Sequence, residues 1–303
     1  MLAISIVFLL LVPILWLQLI NAAFMGFVFT QIAFIAHDTG HRQNLRNKKL
    51  NDLLGMMHGN LLLGMSYAWW VQKHDAHHSN PNQLHHDPDV EILFLAFDED
   101  QAREKRGIAR FFVKYQAFFF FPLLLFQAFS LRYGSIDWLV RRRFKHRILE
   151  AGLIVAHFAL FLTLVFYCLP GWAGVAFLAI HQGFMGLYLG SVFAPNHKGM
   201  PVVKSDCQLD YLHQQVLTAR NVKGHPLIDF WYGGLNYQIE HHLFPNMPRN
   251  LLRKAQPLVK EFCRRHGIAY HETSMARSYK EILQHLHQVS ASLRRRGRFN
   301  TAS

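Results

Sequence analysis

The sequence predicts an all-α fold: an integral membrane helical bundle of about four spans with interfacial helices, and a cytoplasmic helical cap holding a His-rich site for two metal ions. Three observations predict it. Of the 303 residues, 51% are hydrophobic and only 17% charged, and the apolar residues gather in runs long enough to cross a bilayer. The 32 Lys and Arg against 19 acids, a formal net charge of +13, fall in short clusters beside those runs, where a positive-inside bias puts them. The 20 histidines are several times ordinary usage, and imidazole is the commonest metal ligand.

This composition excludes a disordered chain and a nucleic-acid partner, because the basic residues flank apolar runs and form no arm of their own. Cys168, Cys207 and Cys263 include no C-x-x-C pair, which excludes a disulfide framework and a thiolate metal site and points to a reducing compartment.

Residues 1–36 are almost free of charge, with Gln18, Asn21 and Gln31 as the main polar interruptions. They make roughly 54 Å of helix, more than one span and slightly short of two, so a full span over about 15–36 is expected behind a clipped or short partner. With no basic n-region and no cleavage site, a secretory signal peptide is not expected.

Residues 50–71 are long enough to cross but loosened by Gly55, Gly59, Asn60 and Gly64, and they end in Trp69-Trp70, a pair typical of the membrane interface. The run 110–130 has Arg103, Lys105, Arg106 and Arg110 before it, Arg132 after it and Pro122 inside it. Flanks of the same sign predict a helix that lies in the interface or dips in and returns.

Runs 149–169 and 173–194 are joined by Pro170-Gly171, a tight turn, and their far ends carry Arg141, Arg142, Arg143, Lys145 and Arg147 on one side and Lys198 on the other. Both ends then lie in the cytoplasm. Beyond residue 198 the chain is polar, with Ile282, Leu283, Leu286 and Leu293 at helical spacing, as in a soluble cap of amphipathic helices. The expected organisation is a single domain over 1–303. It divides into N-terminal span or spans (1–36), a cytoplasmic and interfacial region (37–147), a transmembrane hairpin (148–195) and a cytoplasmic cap (196–303).

Three histidine clusters recur at helical spacing. His37-Asp-Thr-Gly-His41 is H-x-x-x-H, His74-Asp-Ala-His77-His78 is H-x-x-H-H, and Gln238-Ile-Glu-His241-His242 is Q-x-x-H-H. Positions i, i+3 and i+4 share a helix face, so each cluster can aim two or three rings at one point. A chain this rich in His contains a lone H-x-x-x-H about once by accident, whereas both triplets together arise in under about one chain in a hundred.

A site shared by the first two clusters needs both on one side of the membrane, so residues 50–71 should not cross. The same argument brings Asn196-His197 to that side and supplies an eighth imidazole. Eight rings exceed what one tetrahedral zinc takes and suit two ions of a transition metal, with iron the redox-capable choice. Asp38, Asp75 and Glu240, embedded in the clusters, are expected to accept the far N–H of ligating rings.

With these residues in view the chain resembles the membrane fatty acid desaturases, in the branch whose third histidine box begins with Gln, typical of front-end acyl desaturases. The matching text is His37 to His41; Trp70-Val-Gln-Lys-His74-Asp-Ala-His77-His78 with Asn82 and Asp87-Pro-Asp89; and Gly233-Gly234-Leu-Asn236-Tyr-Gln238-Ile-Glu-His241-His242-Leu-Phe-Pro245.

The resemblance implies two iron ions bound by His37, His41, His74, His77, His78, His197, His241 and His242, with no catalytic residue beyond the ligands. Gln238 would bind directly or through a water held by Asn196, and His213 stands where some relatives also have His, more as a supporting residue than as a ligand. It further implies dioxygen as co-substrate and a long-chain acyl-CoA or phospholipid acyl chain as substrate, with a cis double bond as product. A His-Pro-Gly-Gly haem loop, as in fused relatives, is absent from the sequence, so electrons are expected from a separate ferredoxin or b-type cytochrome with its reductase.

Two other readings compete. A hydroxylase, ketolase or alkane monooxygenase of the same histidine-box type would yield an oxygenated product, and a membrane metal transporter or receptor would place its ligands at mid-bilayer.

Overall fold

The computed structural model describes residues 1–207 and 209–295, so residues 296–303 of the expected cap lie outside the described residues. The first helix, α1 (Leu2–Leu11), spans only about 15 Å and folds back on α2 (Leu15–Gly40). The polar residues of the apolar run make the clasp. Ser5 Oγ donates to Asn21 Oδ1 at 2.6 Å, Asn21 Nδ2 returns a bond to the Ser5 carbonyl at 3.1 Å, and Gln18 Nε2 donates to the Val12 carbonyl at 2.6 Å. Buried amides in an apolar layer are tolerated because each finds a partner.

Helix α3 (Lys48–Met56) runs into a π-helical turn (Met57–Leu62), and after a break at Gly64 the chain enters α4 (Tyr67–Ser79). The run 50–71 therefore forms no span. Leu50, Leu53 and Met57 are exposed along one face, as suits a helix lying in the membrane interface.

Helices α5 (Glu99–Glu104) and α6 (Gly107–Lys114) lead to α7 (Gln116–Leu124) and α8 (Gln127–Arg141), which meet at 72°. The run 110–130 is thus bent into a broken or re-entrant element. Arg132 departs from its expected place at an interfacial flank. It is buried in α8, where Nη2 and Nε donate to the Leu63 carbonyl at 2.9 and 3.2 Å and Nη1 to Gln182. An always-charged guanidinium is buried only where acceptors meet it.

Helices α9 (Arg147–Cys168) and α10 (Gly171–His197) form the expected hairpin about Pro170. With α2 they are, among the described residues, the three helices long and apolar enough to cross a membrane, or four spans if the bent α7–α8 pair counts as one. The α7–α8 corner presses on α10 at Gly186, where a Cβ would lie 2.6 Å from the Leu124 carbonyl oxygen and 2.9 Å from that of Leu125. Only glycine admits that approach. The membrane core joins α1, α2, α9 and α10 through Leu9, Met25, Val165 and Phe177.

The remainder is the polar cap: α11 (Tyr211–Leu217), β1 (Asn221–Val222), α12 (Pro226–Trp231), α13 (Gln238–Leu243), α14 (Arg249–Arg265), β2 (Glu272–Thr273), α15 (Met275–Val289) and α16 (Ala291–Arg294). Ser278, Ile282 and Leu286, one turn apart, bury the inner face of α15, and Ile282 and Leu286 pack with Phe120, Leu124 and Ala194. The parallel β1–β2 pair, Asn221 opposite Glu272, ties the segment before α12 to the one before α15.

Candidate metal centre

All eight predicted histidines converge where α2 and α10 end. His37 and His41 leave the last turn of α2, His197 ends α10, His74, His77 and His78 lie on one face of α4, and α13 delivers His241 and His242. Close approach of α2 and α4 is possible because residue 40 is glycine: a Cβ there would overlap the Trp70 ring. Trp70 in turn stacks on His74 with centroids 4.5 Å apart.

The rings sort into two groups. The ligand nitrogens of His37, His41, His74 and His241 lie within 4.8 Å of one another, as do those of His77, His197 and His242. His78 stands between the groups, its Nε2 3.1 Å from His74 Nε2 and its ring stacked on His242 at 4.1 Å.

In the three-histidine group the proton positions follow from the outer partners. His77 Nδ1 faces Asp87 Oδ2 at 2.9 Å, and a carboxylate only accepts. His197 Nδ1 faces the Thr218 carbonyl at 3.0 Å, which also only accepts. His242 Nδ1 faces Gln215 Oε1 at 2.8 Å, and that amide is oriented by its Nε2, which donates to the His78 carbonyl at 3.0 Å. Each ring spends its proton outward, so three Nε2 lone pairs point inward at one another, with His77 and His197 Nε2 only 3.3 Å apart. Convergent lone pairs repel unless a cation sits among them, and this is the ordered outer shell of a histidine metal site.

The four-histidine group shows the same crowding of ring nitrogens. His41 Nε2 and His74 Nε2 are 2.8 Å apart, and His241 Nε2 is buried without a hydrogen-bond partner. Burial, then neighbouring imidazoles, hold His74, His78, His241 and His242 well below the usual imidazole pKa, and His41 is pushed down to about 2. These five rings are thereby kept neutral, as ligation requires.

Of the three embedded acids, only Asp38 stands beside a ring of the cluster. Asp75 is exposed on the outer face of α4 and bonds no ring. Glu240 is buried, but it accepts from Asn221 Nδ2 at 2.6 Å and Tyr270 Oη at 2.8 Å, tying α13 to the β1–β2 pair. Asp38 stands 3.5 Å from His37 Nδ1 and pairs with Arg249 at 3.0 Å. His213 is outside the cluster; it bonds Asp210 at 2.6 Å at the start of α11. Gln238 lies at the edge of the three-histidine group, its Nε2 3.0 Å from His197 Nε2, and Asn196 Nδ2 donates to its Oε1 at 2.9 Å.

Asp87, Gln215 and Thr218 were not among the predicted site residues. Asp87 sat only in the flanking Asp-Pro-Asp text, and neither a carbonyl nor a lone Gln has a sequence signature. Burial works against the Asp87 carboxylate, but the His77 ring and Lys198 hold it below the usual carboxylate range. Asn82, at φ 55°, joins the loop after α4 to the end of α10 by donating to the His197 carbonyl at 2.9 Å.

A cavity of ≈ 160 Å³ opens from His37, His74, His77 and His197. Its far wall is apolar, made by Phe120, Leu124, Leu131, Gly190 and Phe193 beside the bent α7–α8 pair. Lys73, ion-paired with Asp89, and Lys198, which donates to the Asp89 carbonyl at 2.7 Å, edge the cavity on one side. The other histidines stay apart: in the spans His157 bonds the Leu61 carbonyl at 3.0 Å and His181 bonds Gln182 at 2.9 Å.

Fold and site together define a membrane-embedded helical protein with a His-rich metal-binding cluster at the span ends and an apolar cavity leading to it. The fatty acid desaturase family model matches residues 14–274, and the chain belongs to that family. It is 35% identical over 285 residues to an acyl-lipid (9-3)-desaturase of Physcomitrium patens, covering 90% of this chain and 53% of that one. Likewise it is 31% identical to a delta(6)-fatty-acid desaturase of Caenorhabditis elegans, covering 89% and 64%. A delta 8-(E)-sphingolipid desaturase of Emericella nidulans is 29% identical, covering 91% and 54%. The chain spans about half to two thirds of the length of these relatives.

Proposed function

We propose that this chain, as one domain over 1–303, is a membrane acyl desaturase. It would insert a cis double bond into a long acyl chain with two iron ions, dioxygen and two electrons. The balance is one –CH2–CH2– unit, one O2, two electrons and two protons giving one –CH=CH– unit and two waters. The observation that carries the reading is the set of three Nε2 lone pairs of His77, His197 and His242, each fixed by an outward Nδ1–H bond, with His77 and His197 lining an apolar cavity.

The iron pair supplies the oxidising power that no side chain has, enough to remove hydrogen from an unactivated methylene. The chain's own residues do the rest. His37, His41, His74 and His241 would hold one ion and His77, His197 and His242 the other, with His78 between them and Gln238 at the open edge. Asp87, Gln215 and the Thr218 carbonyl hold the rings in one tautomer. Phe120, Leu124 and Leu131 exclude water from the cavity and orient the acyl chain, whose only recognisable features are length and curvature.

Arg42, Arg46, Lys48 and Lys49 follow the first cluster, and Lys198 follows α10 on the same side. This supports a cytoplasmic active site by the positive-inside bias. The substrate would be an acyl-CoA or a phospholipid acyl chain, and a ferredoxin or a b-type cytochrome with its reductase would deliver the electrons.

The test is expression in a host that lacks the product, followed by mass-spectrometric location of any new double bond. A cis alkene at one position supports the reading. A hydroxylated lipid with no new alkene would favour the oxygenating alternative and overturn it.

A further inference from the structure

Glu150 is a carboxylate in the first turn of α9, an apolar helix long enough to span a membrane, and it is 2% exposed. A buried acid in such a helix calls for a specific partner or a function. Its partners are Asn60 in the π-helical turn and Ser66 and Ala68 at the start of α4, the helix that carries His74, His77 and His78. Glu150 Oε2 accepts from Ser66 Oγ at 2.5 Å and Asn60 Nδ2 at 2.9 Å, and Oε1 accepts from the Ala68 N–H at 3.2 Å.

The first turn of any helix leaves its N–H groups without intrahelical partners. Here each one is met. Ser135 Oγ takes the Ser66 N–H at 2.6 Å, Asn60 Oδ1 takes that of Tyr67 at 3.3 Å, Glu150 takes that of Ala68, and Ser66 Oγ takes that of Trp69 at 3.1 Å. Three of these four bonds run through Glu150 or through a side chain that Glu150 holds. The network has no slack: the Ser66 hydroxyl has one proton and gives it to Glu150, and Asn60 cannot turn its amide because its oxygen is committed to Tyr67.

We propose that Glu150 is the positioning residue of the second histidine cluster: a membrane-helix carboxylate that caps α4 from outside and so sets where His74, His77 and His78 stand relative to the other five rings. The placement also matches the helix dipole. The carboxylate meets the positive N-terminal end of α4, and its negative C-terminal end, in whose last turn His77 and His78 lie, faces the metal position. Helix α9 contributes none of the eight rings, yet through this contact it fixes the placement of three of them. Ser66 and Asn60 are the intermediaries, and the contact couples a lipid-facing helix to the site.

The inference rests on the metal-centre reading above. Glu150→Gln keeps the side chain's size but offers one acceptor and an NH2 group, so either Ala68 or the Asn60–Ser66 pair faces a donor. Wild type, Glu150→Gln and Asn21→Ala are purified in detergent, and each is titrated with cobalt(II) while its visible bands are recorded. Asn21→Ala is the control, because it removes a buried amide from the α1–α2 clasp, away from the cluster.

The expected result is that Glu150→Gln binds cobalt(II) roughly 10-fold more weakly with shifted bands, while Asn21→Ala keeps wild-type affinity and bands. Wild-type affinity and bands in Glu150→Gln, or equal losses in both variants, overturn the positioning role and leave the metal centre standing. Wild type that binds no cobalt(II) overturns the metal centre, and with it this inference.

Discussion

His77 Nδ1 stands 2.9 Å from Asp87 Oδ2, and this one bond decides which nitrogen the ring turns toward the other histidines. Asp87 is itself fixed, because it also accepts from the backbone N–H groups of Asn82 and Asp89, both at 2.8 Å. Asp87→Asn keeps the shape but removes the charge and allows the wrong tautomer. Metal affinity should fall by about 10- to 100-fold, read by competition with a chromophoric chelator. Unchanged affinity would remove Asp87 from the site.

His242→Ala deletes a ring that the structure packs between His78 and His197. Turnover should fall by at least about 100-fold, and metal content should drop, while membrane insertion, scored by carbonate extraction, stays intact. Full activity in this variant would contradict the ligand set.

Acid should unfold the metal-free protein earlier than a chain with ordinary histidines. Burial lowers the folded-state pKa of His74, His78, His241 and His242, and that of His41 to about 2, whereas the unfolded rings titrate near 6.5. Below about 6.5 the unfolded chain binds more protons than the folded one, so the stability present above that pH is lost as pH falls. Thermal unfolding of metal-free protein in detergent from pH 8 to 5 should show a falling midpoint. Bound metal should oppose the fall until protons displace it. A flat profile would mean the rings are not buried as described.

Gly190 lines the cavity, and a Cβ there would stand 2.6 Å from Leu124 Cδ2. Gly190→Ala should push the Leu124 side chain into the cavity. Removing space for one methylene costs on the order of 10-fold in kcat/KM for the longest chains that fit. The product profile over acyl chains of graded length, by gas chromatography with mass spectrometry, reads the effect; a proportional loss at every length would place the acyl chain elsewhere.

The sequence carried the parts of this molecule that repeat. Apolar runs gave α2, α9 and α10, and Gly64 with its neighbours marked where residues 50–71 break. The histidine spacing identified seven rings and the end of an apolar run an eighth, His197, and the structure places all eight close together. What escaped was everything that depends on a contact between distant segments. Asp75 and Glu240 sit beside the clusters in sequence, yet helix geometry turns Asp75 outward and gives Glu240 to Asn221 and Tyr270. The groups that do orient rings, Asp87, Gln215 and the Thr218 carbonyl, come from 10, 27 and 21 residues away from the rings they serve. Arg132 looked like a flank because charge near an apolar run usually is one; only the Leu63 carbonyl and Gln182 around it explain its burial.

The most direct test of the account is the metal itself. Protein purified without air, loaded with iron-57(II) and freed of unbound metal should show about two ions per chain by elemental analysis. Its Mössbauer spectrum should report high-spin iron in nitrogen-rich surroundings. Protein that keeps no iron, or only one ion per chain at saturation, would contradict the two-group reading of these eight histidines.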